Sequence, residues 1–314
     1  MIESIAMSSP IDKLFDSVYS DNLPGFVPFI FGDETIGWIR PRVAEALRKY
    51  SATFDVDLPD AVRLRSTLRS AAQRSSRIAE AVHALAAEGI VSGWRNELYA
   101  VWGAASGDPV PLFTIERAAA RVFGITSYAV HVNGIALTAS GPALWIARRS
   151  ATKAVDPGML DNMIGGGLAH GSTVRATLLK EAWEEAGLDA ATASAAVPGR
   201  RLRIRREVPE GLQSEIVFVH DLLLPHGVAP CNQDGEVSEF RLLPAADVIA
   251  LLASGNQVTA DASLVTLDWL DRAGILPLPA TAQARAIFET AVDSQVRYLS
   301  RDDEASNKPF IAPR

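Results

Sequence analysis

A single cysteine, Cys231, stands in a chain of 314 residues. That scarcity excludes an intramolecular disulfide and points to a reducing compartment. Lying between Pro230 and Asn232 in a polar loop, Cys231 reads as incidental rather than as a catalytic thiol. Positive charge is also in short supply: 30 lysines and arginines against 37 aspartates and glutamates give a formal net charge of -7. This argues against a general nucleic-acid coat, which needs a basic surface, but not against a small phosphorylated ligand. No apolar run approaches the roughly 20 residues of a membrane span, and MIESIAMSSPIDKL has no basic segment followed by an apolar one. The expectation is a cytoplasmic protein with neither membrane nor nucleic-acid polymer as partner. With 48% hydrophobic and 21% charged residues, the chain is globular in composition and long enough for two domains.

Residues 10–125 read as a first domain. Pro41 to Tyr50 predicts a short helix with proline at its start, and FDVDLP (residues 54–59) reads as an exposed strand. Ile78, Val82, Leu85 and Ala86 form a helical stripe that stops at Gly89. Beside it run Arg63, Arg65, Arg69, Arg74 and Arg77, read as a solvated face in preference to an anion site. Asn96 to Val101 predicts a strand and Thr114 to Arg121 a short capped helix. No nucleophile, metal cluster or phosphate loop is visible in this half, which reads as a packing or substrate-framing domain.

The texture changes near Ile125. Ser127 to Ala139 and Pro142 to Ile146 are β-rich and separated by Ser140-Gly141, which predicts a hairpin. His131, without a second ligand-type residue at metal spacing, reads as structural. Arg148, Arg149 and Lys153 then lead into glycines, where two readings stand side by side: phosphate contacts, or a solvated strand end. Further on, Gly199 to Val208 alternates as a half-buried edge strand with arginines outward, and Glu215 to Leu224 as a core strand containing a structural His220. Asn232 to Phe240 is a turn opening into another strand. Pro244 to Leu252, Ser263 to Ala273 and a last helix near Ala282 to Leu299 complete the pattern, followed by a polar tail expected to fray.

The most informative stretch is GGGLAHGSTVRATLLKEAWEEAGL, residues 165–188. Glu181, Glu184 and Glu185 fall at helical offsets that share one face, where three negative charges repel one another. A hard divalent cation taking oxygen ligands is the simplest compensation. Ser172, just before the expected helix start at Thr173, reads as the N-cap.

This stretch resembles the Nudix hydrolase box, which runs glycine, five residues, glutamate, seven residues, arginine-glutamate-apolar, one residue, glutamate-glutamate, one residue, glycine-apolar. Gly166, Glu181, Ala182, Glu184, Glu185, Gly187 and Leu188 fall on its specified positions, while Ser172 replaces its first glutamate and Lys180 its arginine. Lysine keeps the charge but loses the planar fork that in the family orients the neighbouring glutamate. The resemblance implies Mg²⁺, or Mn²⁺ in its place, held by Glu181, Glu184, Glu185 and the carbonyl of Gly165. It further implies a carboxylate from beyond the box, for which Glu236 or Glu239 is available, Glu236 being as readily a surface residue. The general base is left unassigned among the glutamates, with Lys180 beside them. TIERAAARVFGI, YAVHVNGI, LWIARRS, PGMLDN and DGEVSEF extend the resemblance to the branch related to the Nudix domain fused to thiamine pyrophosphokinase in fungi. Members of that branch carry an accessory N-terminal domain and hydrolyse damaged thiamine diphosphates to monophosphates.

The expected fold is therefore α/β: a Nudix α/β/α sandwich with a mixed sheet over residues 126–279, a smaller α+β domain over 1–125, and a C-terminal helix and tail over 280–314. The expected function is Mg²⁺-dependent hydrolysis of a small organic diphosphate, with Arg148, Arg149 and Lys153 as substrate-binding candidates and a homodimer left open. Three rivals are an ADP-ribose or nucleotide-sugar pyrophosphatase, a catalytically weak ligand-binding module, and an allylic-diphosphate isomerase that would need Cys231.

Overall fold

The computed structural model describes residues 10–103, 110–288 and 294–304. The first half contains α1 (Pro10–Val18), β1 (Val27–Phe31), β2 (Glu34–Ile39), α2 (Pro41–Leu47), β3 (Phe54–Asp57), β4 (Ala61–Leu64), α3 (Ala71–Ala87), β5 (Leu98–Trp102), β6 (Pro111–Glu116) and α4 (Ala120–Phe123). Pro41 stands in the first turn of α2, where its missing N–H costs nothing. Ser70 opens α3 with a capping box, accepting from the Gln73 N–H while the Gln73 side chain accepts from the Ser70 N–H. Ile78, Val82 and Leu85 are buried as their spacing predicts. Their core also contains Phe29, Phe54, Phe113 and Phe123, with the Phe29 and Phe123 rings 5.7 Å apart. Strands run in the order β2-β1-β4-β3, and β5 pairs with β6.

Two expectations in this half need correction. Thr114 to Glu116 is the end of β6, and the helical turn starts only after Glu116, whose carboxylate accepts from the Ala118 N–H. Arg74 does not belong to the solvated face. It is buried over the Phe31 ring and donates to the carbonyls of Leu112 and Leu68 at 2.7 and 2.8 Å, which satisfies a charge that burial would otherwise penalise.

The second half contains β7 (Thr126–Thr138), β8 (Gly141–Arg149), β9 (Leu160–Asp161), β10 (Ile164–Gly167), α5 (Val174–Ala186), α6 (Ala190–Ala193), β11 (Val197–Val208), β12 (Gly211–Leu223), β13 (Val237–Pro244), α7 (Ala245–Ser254), α8 (Ala260–Arg272), α9 (Ala282–Phe288) and α10 (Ser294–Glu304). The β7-β8 hairpin is the one read from sequence. The sheet order is β11-β12-β7-β8-β13, with β10 paired to β7 and β9 to β8. Strand β12 runs parallel to β7 and the other pairs are antiparallel, so the sheet is mixed.

Alternation sorts the two faces. Val130 and Val132 meet α5 and α10 on one side, whereas Ala129 and Ile135 meet α7 and α8 on the other. Helices α1 and α9 lie on this second side, where Phe15 and Phe288 pack edge to face with ring centroids 5.8 Å apart. The helix expected near Ala282 to Leu299 is described as α9 and α10, and residues 289–293 and the tail after 304 lie outside the described residues.

The two halves of the chain meet where α4 reaches the start of β12, with Arg40 donating to the Val208 carbonyl at 2.7 Å. Gly124 ends α4 in the left-handed region, φ 57°, and a Cβ there would press on the Trp38 backbone, 2.8 Å from its nitrogen. Gly32 has a similar φ of 60° but open space around it. Gly32→Ala should cost about 1 kcal/mol from backbone strain alone, and Gly124→Ala clearly more. Urea unfolding of both variants checks this; equal losses would show that the Trp38 contact yields freely.

Candidate active site

Helix α5 carries the three glutamates. Its N-cap is Thr173, whose hydroxyl accepts from the Ala176 N–H at 3.2 Å, not Ser172. The Ser172 hydroxyl instead pairs with that of Thr177 at 2.8 Å, one residue too early to reach the free N–H groups of the first turn. At the other end Gly187 adopts φ 64° and closes the helix. There the Cys231 N–H donates to the Ala186 carbonyl at 2.8 Å and the Gln233 N–H to the Glu184 carbonyl at 3.0 Å. These bonds bring the loop that ends in Glu236 to the carboxylate face.

Strand β10 supplies the opposite wall. The Gly165 N–H donates to Glu185 Oε2 at 2.8 Å. A Cβ on Gly166 would stand 2.7 Å from Glu181 Oε1, so only glycine lets helix and strand approach this closely. Gly167 lies against the hydroxyl of Tyr99, which β5 contributes from the first half of the chain. The His170 N–H donating to the Leu98 carbonyl at 2.7 Å ties that strand to the loop before α5.

Two ammonium groups balance the carboxylates. Lys180 Nζ lies 3.0 Å from Glu181 Oε1 and 2.6 Å from Glu184 Oε2, and Lys153 Nζ lies 3.7 Å from Glu185 Oε1 while also pairing with Glu236. Burial raises the Glu181 carboxyl above its usual range, against the opposing pull of Lys180. Burial pushes Glu185 up to about 8, although Lys153 and the Gly165 N–H favour its charged form. The Lys153 ammonium is lowered by burial, with Glu185 opposing. Burial would also lower Lys180, but its hydrogen bonds to Glu184 and Glu181 win and raise it.

Among the described residues, no three His, Cys, Asp or Glu side chains converge as a ready metal-binding group. The lysines hold the carboxylates in pairs. The donor chemistry nevertheless suits a hard divalent ion: an all-oxygen set on one helix face, against a glycine backbone that leaves room for close approach.

Comparison with known proteins decides the family. Residues 127–264 match the NUDIX domain, and residues 11–127 match a domain of unknown function, DUF4743. Nudix hydrolase 20, chloroplastic, of Arabidopsis thaliana is 36% identical over 265 residues, covering 82% of this chain and 70% of that protein. The chain belongs to the Nudix hydrolase family. It is a hydrolase acting on diphosphate bonds. Nudix hydrolase 24, chloroplastic, of the same plant is 35% identical over 257 residues, with 82% of this chain and 70% of that protein covered. Among solved structures, the DR0079 protein of Deinococcus radiodurans gives a TM-score of 0.41 at 23% identity, covering 55% of this chain and 99% of its own.

In this Nudix hydrolase, the tertiary structure gathers Gly165, Lys180, Glu181, Glu184, Glu185, Lys153 and Glu236. It directs the other two candidate cations elsewhere. Arg148 meets Glu239 at 3.3 Å and the Gly158 carbonyl at 2.8 Å, while Arg149 meets Asp161 at 2.6 Å and holds the Val155 carbonyl. Arg149 thus fixes the loop that presents Lys153. Glu239, also held by Arg241 at 2.7 Å, is surface structure. His131 is structural as expected, its Nδ1 2.9 Å from Asn162 Oδ1. Sequence reading passed over Asp161, Asn162 and Tyr99; the two polar residues just before the glycine run were the available signal, and for Tyr99 there was none.

The titration of Glu185 has a measurable consequence. Its folded carboxyl keeps a proton up to about 8, whereas the unfolded one loses it near 4.5, so ionisation across this window favours unfolding. In chelator, the melting temperature should fall as pH rises from about 5 to about 8. Glu185→Gln should flatten that slope in calorimetry, and an undiminished slope would exclude Glu185 as its source.

Proposed function

We propose that this Nudix hydrolase cleaves the diphosphate linkage of a small organic diphosphate to the monophosphate and phosphate, in a Mg²⁺-dependent reaction. The observation that carries the reading is the α5 carboxylate face closed against the glycine strand, with Glu185 anchored on Gly165. Glu181, Glu184 and Glu185 would hold the ion, with the Gly165 carbonyl and Glu236 completing the set. Held there, Mg²⁺ would supply charge neutralisation and Lewis acidity for attack of water on the diphosphate. Lys153 and Lys180 stand between paired carboxylates and are placed to turn toward phosphate oxygens as these enter. Their charge then stabilises the anionic transition state. The general base is one of the box glutamates or Glu236.

Thiamine diphosphate and its oxidised forms are the first substrates to try. Support comes from the sequence resemblance to the thiamine-linked Nudix branch and from the accessory unit preceding the box, which we assign to residues 1–125, with the catalytic unit at 126–279. Helices α1 and α9 pack on the catalytic sheet. The single cysteine supports a reducing compartment; the two plant relatives carry chloroplastic in their names. Lys180, clamped on Glu181 and Glu184, favours a second reading, a weak catalyst that chiefly binds its ligand.

A panel of intact and oxidised thiamine diphosphates, ADP-ribose and nucleotide sugars, assayed for monophosphate release with Mg²⁺ or Mn²⁺, separates these readings. Turnover of a thiamine compound with kcat/KM well above the others is expected, whereas binding without turnover supports the weak-catalyst reading. Glu184→Gln combined with Glu185→Gln should lower the rate at least about a hundredfold and abolish the rise in melting temperature on adding Mg²⁺. Wild-type turnover in that variant would show that the metal site is misassigned.

A further inference from the structure

Beside the carboxylate cluster lies a cavity of about 260 Å³ whose wall is built largely from the first half of the chain. Arg95, Tyr99, Arg117 and Arg121 line it, facing Glu210 and Glu215 across the opening of β12. Three features connect it to the site already described. Tyr99 lies against Gly167, next to the glycine that Glu181 covers. Ser127 belongs to β7, the strand that pairs with β10. Ala154 and Val155 directly follow Lys153, whose ammonium sits 3.7 Å from Glu185.

The charges in this cavity are not balanced in the same way. Arg117 is neutralised by Glu97 at 2.7 Å and rests over the Tyr99 ring, 5.7 Å from its centroid, so it forms a fixed wall. The guanidiniums of Arg95 and Arg121 make no hydrogen bond or ion pair among the described residues. Glu215 does not compensate them fully. Its carboxylate is taken up by Gln213 at 2.9 Å and Ser127 at 3.4 Å, and burial together with the like charge of Asp261 raises its pKa toward the neutral form, against the opposing pull of the Gln213 hydrogen bond and of the Arg121 and His131 charges. Glu210 is exposed at the turn between β11 and β12. Planar five-donor groups whose N–H donors are left without acceptors in a concave wall are suited to tetrahedral oxyanions, which they bind through paired N–H donors.

We propose that Arg95 and Arg121 form an anion subsite that receives a phosphate group of the diphosphate substrate, making the N-terminal unit a part of the substrate-binding machinery. The proposal rests on the diphosphohydrolase reading and adds to it the residues that would govern affinity. Arg95 enters from the loop before β5 and Arg121 from α4, whose carbonyl at Arg121 packs on Gly211 at the start of β12. Packing of α4 on the start of β12 therefore sets this first-half subsite against the second half of the chain.

The test uses inorganic phosphate as probe, with the full chain in chelator, so that binding is read without turnover. Isothermal titration of wild type, Arg95→Ala, Arg121→Ala and Arg121→Lys should show phosphate affinity falling at least about tenfold in each alanine variant and less in Arg121→Lys. On the diphosphate that the wild type turns over, KM should rise by a similar factor with kcat within about twofold. Unchanged phosphate affinity and KM in both alanine variants, with turnover intact, would overturn the subsite and leave the hydrolase reading standing. Arginine-dependent phosphate binding in a wild type that hydrolyses no diphosphate would do the reverse. Arg95 is exposed, so Arg95→Ala remains decisive if Arg121→Ala fails to fold.

Discussion

The approach of helix α5 to strand β10 is the contact on which the site depends. A carboxylate can lie flat against a strand only if the strand offers no side chain there, and Gly166 meets that condition for Glu181. The neighbouring Gly165 adds a backbone N–H aimed at Glu185, which holds a buried carboxylate that would otherwise lack a donor on that side. Strand β10 is itself placed by pairing with β7, the central strand of the mixed sheet. Precision at the glutamates thus comes from the sheet and not from the helix alone.

Charge accounts for the next layer. Burial drives Glu181 and Glu185 toward their neutral forms, and two lysines oppose it from different directions. Lys180 does so locally, reaching back along its own helix to Glu181 and forward to Glu184. Lys153 does so from a distant loop, which Arg149 steadies through Asp161 and the Val155 carbonyl. The loop bearing Glu236 arrives by a third route, hung by backbone hydrogen bonds on the C-terminal turn of α5. Two segments remote in sequence therefore converge on one helix face, and neither of their local patterns announces it.

That convergence explains which residues were legible. Glu181, Glu184 and Glu185 obey the helical period, so their shared face follows from spacing alone. The β7-β8 hairpin and the stripe on α3 were equally clear because each is a local period of apolar residues. Arg148 and Arg149 look alike in sequence, yet as neighbours on a strand they point to opposite faces and find different partners, Glu239 and Asp161. Arg74 looked like one more surface cation until the fold placed two backbone carbonyls around it. The cap at Thr173 differed from expectation by one residue, which backbone dihedrals decide and composition does not.

By itself, the sequence determined the chemistry on offer: a run of glycines, a helix with three carboxylates in register, and a lone cysteine that rules out an internal disulfide. Those properties depend on residue type and on spacing within one or two helical turns, so no distant contact is needed to read them. Only the tertiary structure decided that Lys153 and Glu236 join the carboxylates while Arg148 does not, and that Tyr99 from the first half lies against the glycine strand and shares a cavity with Arg95 and Arg121. Such choices depend on which strands pair and which loops are tied to α5. They are set by burial and hydrogen bonding across the whole chain, which local periodicity does not encode.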